Sequence, residues 1–87
     1  MKLYLVFDKY AKYPGIDHFD SFVICCNSED EARQYHPSGR IIGKWRFSDW
    51  PDSDLDVGVT HLGEAKPNVT LGVICSSFNK VKNENQL

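Results

Sequence analysis

Along most of this 87-residue chain apolar and polar positions change with the short periods of strands, and one stretch has helical spacing. Residues 3-LYLVFD-8 are dense in β-forming side chains and predict a first strand. The segment 9-KYAKYPGID-17 contains Pro14-Gly15, a turn signal, and predicts a loop longer than a tight hairpin. The apolar run 21-SFVICC-26 predicts a second strand, central in a sheet or covered on both faces. In 27-NSEDEARQYH-36, Ser28 and Glu31 fit a capping box, and Glu29, Asp30 and Glu31 favour the positive end of a helix. Ala32 and Tyr35 share a face there. Pro37 cannot continue the helix and Gly39 follows it, so about two turns are expected by the usual rise per residue.

The stretch 40–56 is the least regular. Its first part, 40-RIIGKWRF-47, is a candidate short strand, and 48-SDWPDSD-54 is turn chemistry. Alternation returns in 57-VGVTHLGEA-65, which suits a half-exposed strand. A loop at 66-KPNVT-70 leads into a last strand, 71-LGVICSSF-78. The order β-β-α-(β)-β-β predicts an α+β fold: a mostly antiparallel sheet of four to five strands with one short helix on one face. We expect one domain over residues 1–79 and a polar tail over 80–87.

Composition narrows the function classes. A 41% apolar and 13% aromatic chain is expected to fold. A formal net charge of −2 gives no global basic field, so nonspecific nucleic-acid binding is not expected and any polyanion site must be local. A domain this small buries a modest share of its surface, which favours a homo-oligomer. Cys25, Cys26 and Cys75 form no spaced framework, and neighbours on a strand point to opposite faces. Reduced thiols are therefore expected, in a cytoplasmic protein. The opening run is broken by Asp8 and Lys9, unlike a secretory leader, and no run suits a membrane span.

Four groups of residues bear on chemistry. Arg33, His36, Ser38, Arg40, Lys44 and Arg46 bring five of the chain's 13 Lys, Arg and His residues into positions 33–46. Arginines there suit phosphate, whereas a helix C-terminus repels anions and would itself be satisfied by these cations. Trp45, Phe47 and Trp50 interleave with Lys44 and Arg46, as rings that stack on a base do. Phe47 and one tryptophan are expected in the core, and the other tryptophan on a binding surface. Tyr10 and Tyr13, in the loop 10-YAKYPG-15, are candidates of the same kind. The three histidines and three cysteines lack the spacing of a metal site, and no cofactor is expected. Asp17, His18, Asp20 and Ser21 are adjacent in sequence but carry no nucleophile motif, so a non-enzymatic protein is expected.

The text 3-LYLV-6, 19-FDSFVICCNSEDEARQYHPSG-39, 62-LGEA-65 and 72-GVICSSFN-79 resembles a group of small uncharacterised bacteriophage and bacterial proteins. The likeness runs over most of the chain, with 40–50 departing from it. It implies a phage-type protein acting in a bacterial host cell. The expected function is an antidefence sponge that sequesters a cyclic nucleotide or another nucleotide-derived immune signal. Arg33, His36, Ser38, Arg40, Lys44, Trp45, Arg46 and Trp50 would form its site. The alternatives are an inhibitor that occludes a host defence enzyme through acids such as Glu29, Asp30, Asp52, Asp54 and Asp56, and a purely structural self-assembling domain.

Overall fold

The computed structural model describes residues 1–10 and 17–79. Strands β1 (Lys2–Asp8) and β2 (His18–Cys26) pair antiparallel, with Tyr4 opposite Ile24 and Val6 opposite Phe22. Next come helix α1 (Glu29–Arg33), a 3₁₀ turn (Asp54–Asp56), β3 (Val57–Glu64) and β4 (Gly72–Asn79). The four strands form one antiparallel sheet in the order β3-β1-β2-β4. The expectation of a small α+β protein with an antiparallel sheet and one short helix therefore holds among the described residues. The expected Pro14-Gly15 turn, Tyr13 and the tail 80–87 lie outside them.

One face of the sheet carries the core. Tyr4, Val6, Phe22, Ile24, Cys26 and Val57 project from the strands, and Ala32, Tyr35, Ile42 and Trp50 close over them. Pairing alternates faces along each strand. Cys26 therefore joins this cluster, while Cys25 lies behind it against Met1 and Val69. All three cysteines are free, with Cys75 exposed. Both edge strands are irregular: an extra residue falls in β3 at Leu62, between the pairs Leu3–Gly63 and Tyr4–His61. Another falls in β4 at Ile74, between Val23–Cys75 and Ile24–Val73.

The helix is shorter than the two turns expected, at five residues. Its start follows the sequence signals. The Ser28 hydroxyl accepts the Glu31 N–H at 3.1 Å, and the Glu31 carboxylate accepts the Asn27 N–H at 2.7 Å. The box thus closes one residue ahead of the cap. Its end comes early because the chain turns into a miniature hairpin. Tyr35 bridges Ile41, the His36 N–H reaches the Arg40 carbonyl at 2.9 Å, and the Ile42 N–H reaches the Gln34 carbonyl at 2.7 Å. The Gly39 N–H closes the turn onto the His36 carbonyl at 2.8 Å. Pro37 supplies a fixed φ to that turn, and Gly39, at φ 104°, supplies a conformation few other residues adopt.

The candidate strand at 40–47 is a correction: only Ile41 bridges, and the rest forms no strand. The physical reason is that its polar backbone bonds locally. The Arg46 N–H turns back to the Lys44 carbonyl at 3.1 Å, and the Phe47 N–H is taken by the Asp52 carboxylate at 2.8 Å. The segment instead drapes Ile42, Trp45, Phe47 and Trp50 across the open side of the core.

Candidate functional site

Residues 33–50 leave the helix, make the hairpin and cross the core face, so burial sorts their side chains into two groups. Arg33, on the last turn of α1, points back to the 3₁₀ turn. Its Nη1 donates to the Asp54 carbonyl at 3.3 Å and to the Val57 carbonyl. The guanidinium thereby joins the helix to the start of β3. Trp50 is 2% exposed and tilts against Phe22, with ring centroids 5.5 Å apart. Its Nε1 is buried with no hydrogen-bond partner among the described residues. Trp50 is therefore the core tryptophan of the two, and it is not available to stack on a ligand.

His36 is also interior, 1% exposed, packed between Phe19 at 5.6 Å and Phe47 at 4.8 Å between centroids. The Ser38 backbone N–H donates to its Nδ1 at 3.0 Å, which places the ring proton on Nε2, facing the Asp49 carboxylate at 3.0 Å. The Asp49 backbone carbonyl in turn accepts the Phe19 N–H at 3.0 Å. One imidazole thus fastens the hairpin, the irregular segment and the entry of β2 together. Burying a polar ring of this kind is tolerable because both nitrogens are bonded.

With the Ser38 Oγ 2.8 Å from Nδ1, the order is hydroxyl, imidazole, carboxylate, as in nucleophilic enzymes. The chemistry argues for a strut instead. The Nδ1 lone pair that would receive a hydroxyl proton already holds Ser38's own amide hydrogen. The adjacent Gly39 N–H, which could have faced an oxyanion, is spent on the His36 carbonyl. No sequence signal points to Asp49 or pairs positions 36 and 49: they lie thirteen apart across an irregular stretch.

The second group faces outward. Ser38, Arg40, Lys44 and Arg46 are exposed, and Trp45 is half-buried, edge-on to Phe47 at 6.2 Å. The Arg40 guanidinium lies over the Phe47 ring, 5.6 Å from its centroid, a cation–π contact. Among the described residues the close histidine–carboxylate contacts are His18–Asp8 and His36–Asp49, and none of these three cations is paired with a carboxylate. Of the eight residues expected to bind, then, five remain available at the surface: Ser38, Arg40, Lys44, Trp45 and Arg46. Arg33, His36 and Trp50 are engaged by the fold. No group of three or more potential metal ligands occurs among the described residues, and no helix there is long and apolar enough to cross a membrane.

Comparisons with known proteins return no match from family models, curated proteins or solved structures.

Proposed function

We propose that the protein is a non-enzymatic binding protein whose ligand is a phosphorylated, nucleotide-type molecule. Arg40, Lys44 and Arg46 contact the phosphates and the exposed edge of Trp45 packs on the base. The observation that carries this reading is that, among the described residues, no carboxylate pairs with three exposed cations within seven positions. Acids outnumber Lys and Arg in this chain by 12 to 10, and this short stretch gathers three of the ten Lys and Arg residues. The site is an open surface, with Arg40 held by the Phe47 ring. The resemblance to small phage and bacterial proteins directs the choice of ligands toward cyclic nucleotides and other nucleotide-derived immune signals.

Calorimetry of the full chain against cyclic nucleotides and ADP-ribose derivatives tests the proposal. Binding should weaken as salt is raised. The triple variant Arg40→Gln/Lys44→Gln/Arg46→Gln should lose about tenfold or more per charge-assisted contact removed. Its melting temperature should barely change, because among the described residues the Phe47 ring contact of Arg40 is the one interaction these side chains make. Binding of no compound in the panel, or full binding by the triple variant, overturns the reading.

A further inference from the structure

The sheet has a second face, and it differs from the rest of the surface. Registration puts three positions of each strand on it: Leu3, Leu5 and Phe7; Ser21, Val23 and Cys25; Gly58, Thr60 and Gly63; Gly72, Cys75 and Ser77. None of these positions is charged, in a chain whose residues are 25% charged. Helix α1 and the 40–50 segment lie on the opposite face, where their side chains complete the core.

At one end Met1 and Val69 cover Cys25, and at the other the Phe7 ring lies on Gly58 so closely that a Cβ there would run into it. Between them Leu5 and Val23, in the two central strands, stay only half-buried. Beside them a shallow cavity of about 150 Å³ runs between β2 and β4, lined in part by Val23, Cys75 and Ser77.

An uncharged sheet face that carries Leu3, Leu5, Phe7 and Val23 gains stability when a second layer covers it. We propose that the layer is a second copy of this chain, packed face to face across Leu5 and Val23 in a two-fold dimer. Three considerations choose this occupant. Four strands spaced about 4.8 Å apart, and roughly six residues long at about 3.3 Å each, present about 400 Å² in projection. Two such faces bury on the order of 1,000 Å² once side chains are followed, which reaches the lower bound for a specific interface. Charge also decides: an acidic chain meets its copy here without repulsion, and a charged partner would find no counter-charge to hold. Finally, edge-to-edge pairing is disfavoured, because Leu62 and Ile74 interrupt both outer strands, a device that blunts sheet edges. A self-complementary patch is what a two-fold interface requires.

The test is the mass of the full chain in solution by sedimentation and native mass spectrometry, with the variants Leu5→Lys and Thr60→Lys/Ser77→Lys. Thr60 and Ser77 are exposed, so the double variant loads the face with charge while leaving the core alone. The wild type should sediment as a dimer, both variants as folded monomers, and Cys75 should react more slowly with a thiol reagent as protein concentration rises. Should Leu5→Lys fail to fold, the double variant decides. A monomeric wild type overturns the proposal, as does a dimer that survives Thr60→Lys/Ser77→Lys. A monomer with a slow-reacting Cys75 would also overturn it, by showing that a segment of the same chain covers the face.

Discussion

At the residue scale the molecule assigns unlike work to like side chains. Two of the cations in 33–50 illustrate it: Arg33 bonds two backbone carbonyls, whereas Arg40 rests on a ring and faces water. Arg33→Ala should cost about 1–2 kcal/mol of stability, as loss of a charged donor to partly exposed carbonyls does, with no effect on ligand binding. Chemical denaturation alongside calorimetry checks both halves. His36→Ala removes a packed ring and leaves Asp49 and the Ser38 amide without their partner, so about 3 kcal/mol is expected.

The thiols divide similarly. Burial pushes the Cys26 thiol up, and the Glu31 carboxylate adds to the shift. A thiol whose folded value is raised contributes stability in full below its unfolded value, and that contribution is lost as pH rises through the folded one. Stability should therefore decline in the alkaline range, and Cys26→Ser should flatten that decline in denaturation curves measured across pH. In dilute native protein Cys75 should react first with a thiol reagent, with Cys25 and Cys26 waiting for unfolding.

At the scale of elements, most of the sheet was legible because runs of β-forming or apolar side chains of strand length, set apart by turn signals, recur in four places. Ser28 and Glu31 marked the helix start by a local rule, and local rules survive folding. Ser28→Ala should cost about 1 kcal/mol by loss of that cap, measurable as a lowered melting temperature. The segment after α1 was illegible for a contrary reason. The text 40-RIIGKWRF-47 has strand-forming side chains, but its backbone is satisfied by Asp52 and by its own carbonyls. The bond between His36 and Asp49 depends on two segments meeting through the fold, and no spacing rule announces it. The hairpin was half visible: Pro37 and Gly39 announced a stop but not the return of Ile41 beside Tyr35. Gly39→Ala tests that return. With Gly39 at φ 104° the substitution should cost about 1–2 kcal/mol in denaturation experiments, by strain and not by crowding, since no atom lies within 4 Å of the added carbon.

On the scale of the whole molecule the layers have separate duties. The sheet supports a core on one side and, in the proposal above, a partner on the other, while the basic segment lies on the core side. Ligand binding and self-association can then be removed independently: charge on Thr60 and Ser77 should abolish the dimer and leave the affinity of Arg40, Lys44 and Arg46 intact. Titration of the monomeric double variant with the same nucleotide panel checks this. An affinity that collapses together with the dimer would place the ligand between subunits.

The unequal placement of the two tryptophans has a practical corollary. Trp50, sealed against Phe22 with its indole nitrogen unbonded, should emit at short wavelength until the protein unfolds. Trp45, half in water beside Lys44 and Arg46, should emit further to the red and be open to quenching by iodide or by a stacked base. One chain thus carries two intrinsic optical reporters, one for global unfolding and one for occupancy of the basic surface, and a Trp50→Phe or Trp45→Phe replacement isolates either signal without an added dye.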